Sequence, residues 1–392
     1  MIPKRVSRRG AACLVAVLGS LLVASCTTLV TDVSVLSSDE LEGRQNATAG
    51  SLEAQRYLID RLRPFATGLD AARTGDDAYK QPFTDGTNIL GVIRGSQLPN
   101  EYVIIGAHYD HLGTSCRTAD PNDIICNGAT DNASGAAAVL EIGRKFERSK
   151  APPRRSIVFA FWDREEDGLL GSEYYVQHPI VPLAQTVAYV NFDIQGANLL
   201  PSLRRTSFAV GAETGGPTFA SLVQDAVDAG PIDTHLVSAI FGQGRSDYVN
   251  FTDVQVPIVF FSDSTGPCYH SAQDEFGIVD FWKLGQQVDV GYRVTRELAD
   301  DAGRPSFTTT SAIATFADAV ELREVAHAGL SDLGRFTPTQ QQQLNQFVSD
   351  LDAMVAGGPE NFDGNDVSTL LSGAANAIST FTTGMCDSFV PR

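Results

Sequence analysis

The sequence predicts a three-layer αβα domain with a mostly parallel central sheet, followed by a small helical extension. Three observations carry this. Uninterrupted apolar runs of strand length recur at 102–107, 156–162, 187–192 and 257–261, the pattern of strands buried on both faces. Amphipathic stretches fall between them, so strands and helices alternate as in an α/β domain. Charged chemistry gathers where the runs stop, at His108-Tyr109-Asp110-His111, at Asp163-Arg164-Glu165-Glu166, at Asp193, and at Tyr269-His270. In an open α/β sheet that edge, beyond the carboxyl ends of the strands, is where a site forms.

Taken in order, the domain is expected over 33–300. Leu41-Glu42-Gly43-Arg44 precedes a turn, and Leu58, Ile59, Leu62 and Phe65 then mark one face of a helix over 51–63. Residues 87–93 read as a strand and 95–100 as a turn leading into the central run 102–111. Gly128-Ala129-Thr130-Asp131-Asn132-Ala133-Ser134-Gly135 opens a helix over 136–146. After the strand 156–162, Gly168 and Gly171 permit a sharp turn. Gly171-Ser172 is expected to cap a short helix over 173–177 that Pro179 stops. Phe219, Leu222, Val223, Ala226 and Val227 form a helical stripe after Pro217. Strand 257–261 is entered through 242–247, and a long helix over 279–298 turns Leu284, Val288 and Leu298 inward.

Beyond Pro305 the pattern changes. Thr337-Pro338 begins a helix carrying Leu344, Phe347, Val348, Leu351 and Val355. Val367, Leu370, Leu371, Ala374, Ile378 and Phe381 mark another, so 306–392 is expected to be a helical extension. Gln340 to Gln343 reads as a solvated helix face. Asp363-Gly364-Asn365-Asp366 lacks the full periodicity of a calcium loop and reads as a helix-capping turn.

The first residues are a leader. Lys4, Arg5, Arg8 and Arg9 precede an apolar stretch, 11–24, too short to span a bilayer. It closes with Leu22-Val23-Ala24-Ser25-Cys26, which resembles a bacterial lipobox. Residues 1–25 are therefore expected to be a lipoprotein signal peptide, Cys26 the lipidated residue and 26–32 a tether. That address is the bacterial envelope. The formal net charge of −18 becomes more negative once the leader departs. Nucleic acid is thus excluded as a partner, and membrane attachment falls to the lipid. Four cysteines remain, an even number suited to disulfides in an exported chain. Cys116 with Cys126 and Cys268 with Cys386 are the expected pairs. Free thiols, or a thiolate ligand at Cys268, are the alternatives.

Imidazoles and carboxylates at successive strand ends converge on one crevice, the composition of a metal site. With the Leu41-Glu42-Gly43-Arg44 segment and the Tyr269-His270 loop, they resemble the di-zinc exopeptidase family of bacterial leucyl aminopeptidases and glutamate carboxypeptidases. The resemblance covers the α/β domain and does not extend to the C-terminal helices. It implies His108 and Asp193 on one zinc, Glu166 and His270 on the other, and Asp131 bridging both. It implies Glu165 as general base, Asp110 as the acid orienting a ligand, and Tyr269 as a hydroxyl supporting the oxyanion. His111 reads as a loop residue or pocket wall, and His178, His235 and His327 as structural. Ser246-Asp247 matches a family position where Tyr248 stands in place of a His. Arg164 is unusual before the Glu pair and either points away or borders the cleft. The implied activity is a zinc aminopeptidase acting on peptides. Carboxypeptidase action (with Arg245 as the candidate carboxylate anchor), glutaminyl cyclisation on one zinc, and a non-catalytic peptide-binding lipoprotein are the alternatives.

Overall fold

The computed structural model describes residues 28–301, 303–309, 313–382 and 386. The leader and Cys26 lie outside the described residues. The chain enters as helix α1 (28–36), earlier than the expected tether allows. The reason is a buried ionic anchor. Asp32 receives hydrogen bonds from Tyr57 and Arg61, both at 2.7 Å, and pairs with Arg144. Thr28 bonds Glu141 on the same face, and Leu29 and Val33 join the core. Residues 28–32 are therefore part of the packed domain.

Helix α2 (Ala49–Leu62) starts where the Thr48 hydroxyl accepts from Ser51 N and turns Leu58, Ile59 and Leu62 inward. Strands β1 (Thr67–Gly68), β2 (Lys80–Phe83) and β3 (Gly86–Ile93) follow. Next come β4 (Leu98–His108), α3 (Ser134–Ser149), β5 (Arg155–Trp162), α4 (Leu170–Gln177) and β6 (Thr186–Phe192). The expected turn over 95–100 is shorter than read, because β4 already pairs with β5 at Leu98, before a register shift ahead of Tyr102. Gly171-Ser172 does not cap α4. Leu169 is the N-cap, in the left-handed region, and the glycine sits in the first turn. A Cβ on Gly171 would overlap the Asp163 carbonyl oxygen and the Asn88 side chain. Gly168, with φ +105°, makes the reversal behind the acidic pair.

The second half supplies β7 (Thr206–Val210), α5 (Gly216–Asp228), β8 (Asp233–Val237), α6 (Tyr248–Asp253), β9 (Ile258–Ser262) and α7 (Phe281–Asp300). One sheet results, ordered β1-β3-β5-β4-β6-β9-β7-β8, with β2 on β3. Its centre, β5-β4-β6-β9, is parallel, whereas β3 runs antiparallel to β5 and β7 to β9. The sheet is thus mixed, and the four parallel strands deliver their carboxyl ends to one edge. Alternation decides which residues meet which layer. Val103, Ile105 and Ala107 face the core under α2, α3, α5 and α7, while Tyr102 and Ile104 face the one under α4 and α6. All of β5 and β6 is buried, as strands covered on both faces must be.

The extension is α8 (Phe316–Gly329), α9 (Pro338–Gly357) and α10 (Gly364–Thr382). Thr337 and Gln340 form a capping box with Pro338 at the first helical position. Asp363 accepts from the backbone N–H of Asn365 and Asp366, the capping turn expected there. Helix α8 has no clean apolar stripe of its own. It is fixed through Asp318, which accepts from Ser238 N and Oγ on the β8 side at 2.7 Å each. Disulfides join Cys116 to Cys126 and Cys268 to Cys386.

Candidate metal centre

Three strand ends, one loop and one turn bring the side chains together. His108 ends β4, Glu165 and Glu166 follow β5, Asp193 follows β6, and His270 lies on the loop after β9. Asp131 arrives from the turn ahead of α3, where the Asp131–Asn132 peptide is cis. Asp131 directs Oδ1 to His108 Nε2 at 3.2 Å and Oδ2 to His270 Nε2 at 3.3 Å. His108 Nε2 lies 3.5 Å from Asp193 Oδ1, and His270 Nε2 lies 3.1 Å from Glu166 Oε2. Donors bound tetrahedrally at about 2.0–2.2 Å are separated by roughly 3.3–3.6 Å, so spacings of 3.1–3.5 Å are close to those of donors gathered around a metal ion. Glu165 lies beside this group, its Oε2 3.9 Å from His108 Nε2.

The donor set fits a hard-to-borderline divalent cation, imidazole and carboxylate being ligands for zinc. A second observation agrees. His108 Nε2 and Asp193 Oδ1 are buried and make no hydrogen bond, which is costly unless something else meets them. Of three donor groups among the described residues that could hold an ion, two lie here, His108 with Glu165 and Asp193, and His111 with Asp131 and Glu166; the third, His235 with Glu321 and Glu324, is more exposed.

Electrostatics points the same way. Burial pushes the Glu165 carboxyl well above its usual range, opposed by His108 and reinforced by Asp193, Asp247 and Glu166. Burial also raises Asp193. Although burial and Asp131 work against it, Glu166 is held at about 2 by hydrogen bonds from His111 and His270. His270, despite burial, is pushed to about 10 by Asp131 and Glu166. Burial and mutual repulsion of the carboxylates favour bound protons at Glu165 and Asp193. A divalent cation would compete with those protons, so its binding would depend on pH.

The supporting shell is more extensive than the sequence shows. Asp110 was expected to orient a ligand. Its Oδ1 and Oδ2 accept the N–H of Glu165 at 3.1 Å and of Glu166 at 3.3 Å, fixing the acidic pair by its backbone. The Nδ1 of His108 pairs with the Asp110 carbonyl oxygen at 3.1 Å. His111 lies on a loop, as expected, but it does more than line a wall. It is buried with Nδ1 2.6 Å from Glu166 Oε1 and sets that carboxylate's orientation. Asp274 was missed altogether. It accepts from Thr130 N, Thr130 Oγ1 and Asp131 N at 2.8–3.0 Å, and so holds the turn that presents Asp131. Its signal was only an acid four residues after His270. Arg44, fully buried, donates to the carbonyls of Tyr109, Asn127, Gly128 and Leu36, tying the first segment to the loops carrying His111 and Asp131.

Tyr269 stacks on His270 with ring centroids 3.8 Å apart and borders the cleft. Burial and the carboxylates raise its hydroxyl pKa. Arg164 points away, bonding Asp167 and the Thr84 carbonyl. Tyr248 is structural: its hydroxyl accepts from Gly244 N and its ring stacks on Phe260. His178 bonds Tyr174 O, while His235 pairs with Glu321 and His327 with Asp352, so each has a partner within its own surroundings. Cys268 is in a disulfide and is no thiolate ligand.

Fold and site define a class: a three-layer α/β protein with a carboxylate–imidazole centre at the carboxyl edge of its parallel strands. The description "Peptidase family M28" matches residues 88–290, just over half of the chain, and the chain belongs to that family. A probable glutamate carboxypeptidase of Arabidopsis thaliana, LAMP1, is 33% identical over 201 residues, covering 48% of this chain and 28% of that protein. Leupeptin-inactivating enzyme 1 of Streptomyces exfoliatus is 27% identical over 242 residues, covering 58% and 46%. The match thus takes in less than half the length of either relative. Among solved structures, the Legionella pneumophila LapA aminopeptidase shares the fold at TM-score 0.57 and 19% identity, covering 77% of this chain and 80% of that one. A Zn-dependent exopeptidase from Parabacteroides distasonis does so at 0.54 and 20%, covering 69% and 97%.

Proposed function

We propose that the protein is a zinc-dependent aminopeptidase that removes N-terminal residues from peptides at a two-metal centre. His108 and Asp193 would hold one ion, Glu166 and His270 the other, and Asp131 would serve both. Bound zinc would supply a Lewis acid and a water whose pKa falls to about 7. The chain's own groups do the rest. Glu165, placed beside the ligands with a raised affinity for protons, takes the proton of the attacking water and returns it to the leaving amine. Tyr269 donates to the oxygen on which negative charge develops. Asp110, His111 and Asp274 keep the donors in place. The buried carboxylates offer a counter-charge to a substrate's free α-amine, which supports an exopeptidase acting at the N-terminus.

The observation that carries this reading is the Asp131 carboxylate, with one oxygen turned to each imidazole at 3.2 and 3.3 Å. A single-zinc cyclase has no use for that arrangement. Carboxypeptidase action is the second reading. Its candidate anchor Arg245 is exposed and borders the same cleft. Export and lipidation at Cys26 belong to the proposal as well, supported by the lipobox and by two disulfides suited to an oxidising compartment. The test is Glu165→Gln. Metal content should equal that of the parent while turnover of aminoacyl-anilides falls by about 10³-fold or more. An active variant, or a parent that cleaves only N-blocked peptides, would overturn the assignment.

A further inference from the structure

The cleft does not stop at the carboxylates. From Asp131, Glu165, Asp193 and Tyr269 it runs on into an apolar chamber, floored by the α/β domain and roofed by the helical extension, and cleft and chamber together enclose about 180 Å³. Phe208 and Phe241 line it from the domain, and Phe336, Phe347, Ile378 and Phe381 from the extension. The roof residues come from beyond the stretch 88–290 matched by the family.

Three features mark this as a built cavity. The apolar stripes of α9 and α10 divide: Leu351 and Leu370 pack into the extension's own core, while Ile378 and Phe381 keep part of their surface toward the chamber. Apolar surface left uncovered is unfavourable unless something occupies the space. The roof is also fastened. The Cys268–Cys386 disulfide joins the chain just beyond α10 to the residue before Tyr269, and the Thr382 hydroxyl meets that of Thr265 at 3.2 Å. Asp332 accepts from Ser202 N at 2.8 Å on the opposite side. Size points to the occupant. An apolar cavity of about 150 Å³ holds a benzene molecule, so a cleft of about 180 Å³, most of whose lining is apolar, has room for an aromatic-sized group beside the reacting carbonyl.

Resting on the hydrolase reading above, we propose that α8–α10 form a specificity element. Their chamber receives the side chain of the residue whose carbonyl is attacked, and selects peptides with a bulky apolar residue at that position.

The test compares the parent with Ala377→Phe and Ala326→Phe, which fill the chamber from the roof. The readout is the ratio of kcat/KM for phenylalanyl- and alanyl-anilides, with metal content measured alongside. The parent should prefer the phenylalanyl substrate by about tenfold or more, and each variant should lower the ratio by at least about tenfold. Equal treatment of both substrates by the parent, or an unchanged ratio in folded, metal-loaded variants, would overturn the proposal. Should the variants fail to fold, Phe381→Ala replaces them, and its preference should move toward tryptophanyl substrates; no movement overturns the idea. If the metal-loaded parent cleaves no amide, the hydrolase reading fails by itself. Calorimetric binding of phenylalaninamide against alaninamide then decides the chamber: tighter binding of the aromatic ligand by about tenfold supports it, and equal binding ends it.

Discussion

Replacing Asp274 by Asn separates what stabilises the fold from what organises the metal site. Asp274 is fully buried and collects three hydrogen bonds from Thr130 and Asp131. Burial raises its carboxyl from 3.8 to about 6, with the bond from Thr130 N opposing and the charge of Asp131 adding to the rise. Such a difference is worth about 3 kcal/mol. The folded pKa lies above the unfolded one, so the protonated carboxyl contributes stability that is complete below about pH 3.8. This contribution is lost as the pH rises through about 6. In Asp274→Asn that titration is gone. The amide keeps acceptors for Thr130 but sets an NH₂ against Asp131 N–H, leaving a buried donor unpaired at a cost of about 1–3 kcal/mol. At pH 7 the two effects offset, and the metal-free variant should unfold in urea within about 2 kcal/mol of the parent. Between pH 4 and 6.5 the parent should lose about 2 kcal/mol relative to the variant. Zinc affinity should nonetheless drop by about 10–100-fold, because the turn presenting Asp131 is no longer held. A variant with the parent's pH profile, or one binding zinc within twofold of the parent, would refute this account of Asp274.

Two further outcomes follow from the shell around the site. Arg44→Met keeps the stem's volume but strands four buried carbonyls, and should cost about 3–5 kcal/mol in urea unfolding; a loss below 1 kcal/mol would contradict the clamp drawn from its contacts. His111→Phe removes the bond that orients Glu166 and should weaken zinc binding by about 10–100-fold with little change in fold by circular dichroism. Parent-like affinity would return His111 to the cleft wall.

What the sequence shows and hides follows from packing. The parallel strands β4, β5, β6 and β9 are legible because burial on both faces demands unbroken apolar runs. Their ends stand out for the complementary reason that His and carboxylates are tolerated only where a strand leaves the core. Strands β7 and β8, Thr206–Val210 and Asp233–Val237, lie near the far edge and carry polar residues on short segments, so no run announces them. Helix α8 interleaves Ala and Val with acids and becomes a helix face only against β8 and α9. His111 and Asp274 acquire their roles by meeting partners 55 and 144 residues away, a distance no local pattern encodes. The apolar stripes of α9 and α10 were visible, but one stripe looks the same whether it packs on a core or roofs a chamber.

The central claim is that Asp131 joins two metal positions. Its most direct test is zinc content by mass spectrometry, after saturation and exhaustive dialysis, of the parent and of Asp131→Asn. Two ions per chain in the parent, and fewer than one in the variant because both positions lose the shared carboxylate, are the predicted values. One ion per chain in the parent, or two retained without the Asp131 carboxylate, would contradict the account.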